Sequence, residues 1–243
     1  MNKRSLTATI RKHAFDLALS VLALASFVLM LIASTDPVPA FLKGTEAHGL
    51  LKQFSTGNQV VFDLAVGVLA SLLMYVLVVR VPENSKRRRV KANLAAAYES
   101  FKRDSIAIYL GCFMQSYPFE LPSQLADQRR FREFFKEPFT DGQTKWDAVA
   151  NNLTETRLKA LVVELEILMT EVHFTLTSID VQDSRAFGFL KSLARIIYRS
   201  KNWTTDYDDV KSLLGFLWSL HTGWNWVTGY AESDPIEQVI AAV

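Results

Sequence analysis

Two long apolar runs near the N-terminus dominate the hydrophobic pattern of this chain. The first, residues 17–33, contains no charged residue, and the second, residues 60–79, contains only Asp63. Each approaches the ~20 residues that a helix needs to cross about 30 Å of hydrocarbon. The pattern therefore predicts a transmembrane hairpin over residues 1–81, with spans at about 14–34 and 60–80.

Basic residues flank both predicted spans on the same side. Four of them precede the first span, and Arg80 and a basic run at 86–91 follow the second, whereas the connecting loop 34–59 is balanced in charge. Because positively charged flanks stay in the cytoplasm, we expect a multi-pass inner-membrane protein with both termini cytoplasmic. A cleaved signal peptide is the alternative for the first run, but its apolar core exceeds the usual length of about 7–15 residues.

A line of small and polar residues follows one face of the second predicted span. It comprises Asp63, Gly67, Ser71 and Tyr75, at intervals of four residues. Gly67 and Ser71 form a small-xxx-small pattern, which lets two membrane helices approach closely. We interpret this face as a packing seam of the hairpin or of an oligomer. The alternative is a polar stripe lining a pore, because an intramembrane carboxylate often marks an ion path.

Residues 82–91 are predicted to form a basic juxtamembrane segment. Its basic side chains are those of Lys86, Arg87, Arg88, Arg89 and Lys91. Next to an anionic membrane surface, each such charge contributes about 1 kcal/mol of attraction to the headgroups. The run is therefore a candidate lipid-facing site, and the alternative is a solvated flank that only stops membrane transfer.

Residues 92–243 are predicted to form an α-helical cytoplasmic domain, so the fold class is all-α. Apolar residues recur there at spacings of three and four, and no alternating strand pattern is present. This part carries 15 lysines and arginines against 20 aspartates and glutamates. The sequence pI of about 8.6 thus reflects the membrane flanks, and we predict no nucleic-acid partner.

The helix boundaries follow from caps and breakers in the sequence. Asn84 or Ser85 is expected to cap the first helix, and Ser123 a short one to about residue 136. A long helix is expected at about 144–179, with a leucine-rich stripe typical of a core or of a coiled-coil seam. That stripe comprises Leu158, Leu161, Leu165, Leu168, Val172, Leu176 and Ile179. Further helices are expected from Asp183 or Ser184 to 198, from Thr204 or Thr205 to 221, and from Pro235 onward.

No constellation of residues in the sequence predicts catalysis. The four histidines do not show the spacing of paired metal ligands, and the chain has neither a glycine-rich phosphate loop nor a nucleophile elbow. The single cysteine, Cys112, lies in an apolar stretch and is interpreted as a small buried hydrophobe. We therefore expect a non-enzyme that has no cofactor and no metal site.

An aromatic-rich segment at 218–230 is the most unusual part of the predicted cytoplasmic domain. Trp224, Trp226 and Tyr230 in this segment are candidate partner-contact residues, because aromatic side chains supply rigid contact area at interfaces. The alternative interpretation is that these rings cap the open end of the helical core.

The layout of a basic-flanked hairpin followed by an α-helical cytoplasmic domain resembles the two-span membrane effectors of bacterial phage-defence and retron-type systems. The resemblance implies a membrane-perturbing or pore-forming role in antiviral defence, controlled by a cytoplasmic partner. It carries over no role for any individual residue.

Two hypotheses follow for the function. The first is a bacterial inner-membrane effector or accessory protein that forms homo-oligomers through the face containing Gly67 and Ser71 and binds a cytoplasmic protein partner. The second is a passive membrane anchor or scaffold subunit, in which the hairpin only tethers a partner-binding helical domain to the lipid bilayer.

The topology can be tested with reporter fusions. A reporter that is active only in the cytoplasm should be active after Val243, and a reporter that is active only outside it should be active in the 45–50 loop, because the basic flanks hold both termini inside. A C-terminus outside the cytoplasm would contradict the scheme.

Overall fold

The computed structural model describes residues 3–34, 57–140, 142–181, 183–200, 204, 206–225 and 229–243. The chain is mostly helical and divides into two compact units, Met1–Lys86 and Arg87–Val243. The prediction of an all-α chain is confirmed. The division between the units falls inside the segment 82–91.

The first unit contains two helices that pack against each other. Helix α1 spans Lys3–Ala33 and helix α2 spans Gln59–Tyr75. The side chain of Asn58 caps α2 by accepting hydrogen bonds from the backbone N–H groups of Val60 and Val61, at 3.1 and 3.3 Å. The predicted loop 34–59 lies almost entirely outside the described residues.

Helix α2 continues without a break through a π-helical turn, Val76–Arg80, into helix α3, Val81–Phe113. In the described part of the chain, Gln59–Phe113 is the one helix that is both long and apolar enough to cross a membrane, by length and composition alone. The apolar part of α1, Leu17–Ala33, is shorter.

The expectation that a new helix begins with a cap at Asn84 or Ser85 is wrong. Pro82 lacks a backbone donor, and its ring clashes with a carbonyl on the preceding turn of a regular helix. Here the π turn lies directly before it, and the N–H of Val81 donates to the carbonyl of Val76. The wider turn accommodates the proline, so the helix passes it instead of restarting.

The second unit is a helical bundle around one hydrophobic core. Helices α4 (Leu121–Leu125) and α5 (Gln128–Lys136) follow α3, and helices α6 (Lys145–Asn151) and α7 (Glu155–Ser178) come next. The last three helices are α8 (Ser184–Ser200), α9 (Tyr207–Thr222) and α10 (Pro235–Ala242). The helix predicted from Pro235 therefore begins at that residue.

Two of the predicted helices are each divided in the structure. The long helix expected at 144–179 breaks after Asn151, because Thr154 provides a second N-cap and accepts a hydrogen bond from the N–H of Arg157. The short helix expected from Ser123 is also two helices. Asp127 caps the second one by accepting from the N–H groups of Arg129 and Arg130.

The leucine-rich stripe on α7 belongs to the core of the second unit. Its members from Leu158 to Val172 are buried, whereas Leu176 and Ile179 are partly buried and pack against that core. Of the two interpretations of the stripe, the structure therefore supports the core and not a free coiled-coil seam.

Two short antiparallel strand pairs are present that the sequence did not predict. Strand β1 (Pro138–Thr140) pairs with β2 (Gln143–Thr144), and β3 (Trp224–Asn225) pairs with β4 (Gly229–Tyr230). Strands of two or three residues are too short to show alternation. Gly223 ends α9 with a φ of 63°, a conformation that strains any residue with a Cβ, and a Cβ there would also displace the side-chain amide of Gln128, whose Nε2 would lie 1.9 Å away.

Candidate functional site

The polar face of α2, with Asp63, Gly67, Ser71 and Tyr75, lies away from the face on which α2 packs closely against α1. Asp63, Gly67 and Ser71 are exposed, and Tyr75 is half-buried. Gln59 donates a hydrogen bond to Asp63 at 2.9 Å, and the hydroxyl of Ser71 donates to the carbonyl of Gly67 at 2.8 Å. A Cβ added at Gly67 would meet nothing within 4 Å. This face is therefore open to a further helix.

The most buried positions of the first unit form a different seam of small residues. Ser26 and Ala33 of α1 are 5% and 0% exposed, and Ala65 of α2 is 4% exposed. Small side chains at such positions let helix backbones approach closely. The small-xxx-small pattern at Gly67 and Ser71 does not reveal this seam, because Ala65 lies two residues before Gly67 and on another face of α2.

The basic run divides into two faces. Arg87 donates to the carbonyl of Val243 at 3.2 Å and to that of Asp180 at 3.0 Å, and Lys91 donates to the carbonyl of Ala241. The hydrogen bonds of Arg87 and Lys91 thus lie within the second unit, whereas Lys86 and Arg88 are exposed. Arg89 is also exposed.

A buried charged cluster holds the first turn of the last helix, α10. Nζ of Lys102 lies 2.7 Å from Oε1 of Glu237 and 3.5 Å from Oδ2 of Asp234, while Tyr98 donates to the same Asp234 oxygen at 2.9 Å. Asp234 also caps α10 by accepting from the N–H of Ile236 at 2.8 Å. Burial, and then the neighbouring Asp234 carboxylate, raise the pKa of Tyr98 well above its usual value.

This cluster was not predicted, since no local sequence signal joins residues that stand 132 positions apart. A charged group is buried only where it is paired, and removing one partner of such a pair strongly destabilises a protein. We therefore assign the cluster a structural role in fastening α10 to α3.

Aromatic rings surround the buried His221. Its imidazole is stacked on Phe131 with centroids 4.7 Å apart, and its Nε2 lies 3.3 Å from the hydroxyl of Tyr109. Burial, and then the charge of Lys102, lower the pKa of His221 to about 3. The imidazole is neutral in the folded protein near pH 7, so it serves packing there.

The predicted partner-contact residues have different environments. Trp224 is half-buried and pairs with Tyr230 across the short β3–β4 ladder. It borders an apolar cavity of about 250 Å³ between α8 and α9. The ring of Tyr230 is covered by two cations, with Arg132 at 4.5 Å and Lys136 at 4.7 Å from its centroid. Trp226 lies outside the described residues.

The described residues offer little for covalent or metal chemistry. Among them, no group of three or more histidine, cysteine, aspartate or glutamate side chains could hold a metal ion. Cys112 is buried and its Sγ donates to the carbonyl of Ile108, at 3.4 Å. Burial raises the pKa of this thiol to about 11, so the reactive thiolate form is scarce near pH 7.

Comparisons with known proteins add no relative. No protein-family model, no curated protein and no solved structure matches this chain.

The buried His221 predicts a loss of stability in acid. The folded state keeps this imidazole neutral down to about pH 3, whereas the unfolded chain binds a proton near pH 6.5. The contribution is therefore complete above pH 6.5 and is lost as the pH falls below that value. Between pH 7.5 and 5 the free energy of unfolding should drop by about 2 kcal/mol from this group.

Urea unfolding of the full chain in detergent, followed by tryptophan fluorescence at both pH values, measures this effect. His221→Gln should remove about 2 kcal/mol of the pH dependence. The control His173→Gln, at an exposed position on α7, should leave it unchanged. An unaltered pH dependence in His221→Gln would show that other groups cause the acid sensitivity.

Proposed function

We propose that the chain is a bacterial inner-membrane protein whose first unit spans the bilayer as a two-helix hairpin, with both termini cytoplasmic. The observation that carries this proposal is the extent of exposed large apolar side chains in the first unit. On α1 they include Leu17, Val21, Leu24 and Phe27, and on α2 and the π turn they include Val60, Leu64, Leu73, Met74 and Leu77. A continuous apolar surface of this kind requires a cover, and lipid supplies one.

The end of the apolar surface supports the same placement. Large apolar side chains remain exposed as far as Val79 and Val81, and the basic residues begin at Arg80. A helix that leaves a membrane on its cytoplasmic side is expected to show this change from apolar to basic residues.

Within that placement, we infer that the protein acts as an effector or accessory protein that perturbs the membrane after copies associate. The exposed face with Asp63, Gly67 and Ser71 supports this, because the tight seam between α1 and α2 uses other residues. Close approach at Gly67 would bring the Asp63 carboxylates of several copies together. Such a ring of polar groups is the basis for a water-filled path.

A passive anchor is the second candidate, and the position of Asp63 favours it. Asp63 lies four residues from the start of α2, which is about 6 Å along the helix axis. It also accepts a hydrogen bond from Gln59 at 2.9 Å. A carboxylate near the membrane surface with a polar partner needs no second copy, and the hairpin would then only tether the helical domain.

Membrane depolarisation separates the two candidates. Expression of the full chain in bacteria should depolarise the cells, as reported by a potential-sensitive dye, and Gly67→Leu should abolish the effect because the bulky side chain blocks close helix contact. The matched control is Val66→Leu, at an exposed position on a neighbouring face of α2.

Equal amounts of each variant in the membrane fraction are required for the comparison. Polarised cells with the wild-type chain present in the membrane would support the passive anchor. Equal depolarisation by Gly67→Leu and the wild type would exclude the proposed oligomer face.

A further inference from the structure

Helix α8 concentrates positive charge within an otherwise acidic part of the chain. Residues 92–243 contain 15 lysines and arginines and 20 aspartates and glutamates. Four of those basic residues, and none of the acidic ones, lie in Ser184–Ser200. A helix with cations and no carboxylates is an electrostatic signature of an anionic partner.

Three of these cations form a line on the exposed side of α8. Lys191, Arg195 and Arg199 recur at intervals of four residues, and all three are exposed. Residues at this spacing lie one above the other on the same face of a helix. The opposite side of α8 is buried in the core of the second unit. Its buried residues are Ala186, Leu190, Leu193, Ala194 and Ile197.

Neighbouring carboxylates do not neutralise this line. Within the described part of the chain, Lys191, Arg195 and Arg199 form no ion pair. The ammonium group of Lys191 lies 5.2 Å from the centroid of the Phe187 ring. Asp183, just before the helix, accepts a hydrogen bond from a backbone N–H of the first turn of α8 at 2.9 Å. The three cations are therefore accessible to a partner from solution or from a membrane.

Large apolar side chains flank the line of cations. Phe187, Ile196 and Tyr198 are 39%, 39% and 68% exposed. In the register of the helix, Phe187 and Tyr198 lie to one side of the line and Ile196 lies to the other. Cations next to exposed apolar and aromatic side chains match the boundary between lipid headgroups and acyl chains, where tyrosine is enriched.

The covalent link to the first unit favours lipid over other polyanions. Nucleic acid also binds cations that lie next to aromatic rings, but it has to associate from solution. A domain that is joined to a membrane-spanning hairpin meets headgroups at a high effective concentration, so weak contacts suffice for docking.

We propose that the exposed side of α8 is a membrane-docking face, which binds anionic lipid headgroups through Lys191, Arg195 and Arg199. The proposal rests on the membrane placement of the first unit proposed above. Each cation near an anionic surface strengthens the attraction about fivefold, so that three strengthen it about a hundredfold. On a neutral surface this attraction is absent, and the docking of the second unit thus depends on the lipid composition.

Quenching of a fluorophore on α8 tests the docking in the full chain. The label is attached to Gly188→Cys in a Cys112→Ser background, because Gly188 is exposed and a Cβ there would meet nothing within 4 Å. The chain is reconstituted into nanodiscs of phosphatidylcholine, alone or with an equal amount of phosphatidylglycerol, that contain a lipid with a nitroxide on its headgroup. The label should be quenched strongly only in the anionic discs, and added salt should reverse the quenching. The same label on Gln124→Cys, at an exposed position on α4, should stay unquenched in both.

Two triple variants with equal loss of charge isolate the contribution of α8. Replacing the three cations of the docking face with glutamine should lower the ratio of docked to undocked chains in anionic discs about a hundredfold. The control variant combines Arg130→Gln, Lys159→Gln and Lys211→Gln, which removes three exposed cations from other helices. It should dock like the wild type.

The remaining outcomes overturn the proposal in distinct ways. Wild-type quenching that is equal in both kinds of disc, or that persists without the three cations, would refute the docking face. A label that the headgroup nitroxide does not quench, but that poly(U) RNA shields from a soluble quencher, would overturn the lipid assignment in favour of nucleic acid. Failure of the membrane proposal would appear separately, as a wild-type chain that is not incorporated into the discs.

Discussion

One continuous helix, from Gln59 to Phe113, contributes to both units of the chain, and the other elements depend on it. Its first part exposes large apolar side chains, and its last part supplies core residues such as Phe101 and Tyr109. The physical constraint is Pro82, which would break a regular helix at the point where the apolar surface ends. The π turn before it keeps the backbone hydrogen bonded and the helix unbroken.

The basic residues between these two parts fall into an exposed set and a set that packs against the last helix. Lys86 and Arg88 are exposed, while Arg87 and Lys91 bind the carbonyls at the end of α10. A basic run after an apolar span is usually explained by topology alone. Here two of its members also bind backbone oxygens at the end of the last helix of the second unit, so the run has a packing role as well.

Much of the helical architecture could be predicted because it depends on local signals. The stripe from Leu158 to Val172 was predictable from the spacing of its apolar residues. The start of the last helix was predictable from the proline at position 235. The break between α6 and α7 was missed, because Thr154 is recognised as a cap only when its side chain is seen to accept from the backbone.

The contacts that hold distant segments together could not be predicted in the same way. Lys102 and Asp234 have no sequence relation, and neither residue type is expected to be buried without its partner. For the polar face of α2, the sequence located Gly67 and Ser71, but the structure was needed to place the buried seam at Ser26, Ala33 and Ala65.

The central claim is that the helix from Gln59 passes from lipid into water near Arg80. Spin labels at single cysteines, in a background with Cys112→Ser and in reconstituted vesicles, measure this through collisions with oxygen and with a water-soluble nickel complex. Labels at Leu64, Leu73 and Val78 should collide mainly with oxygen, and labels at Lys86 and Asn93 mainly with the nickel complex, since all five positions are exposed on the helix surface. Nickel accessibility at Leu73 and Val78 as high as at Asn93 would contradict the account.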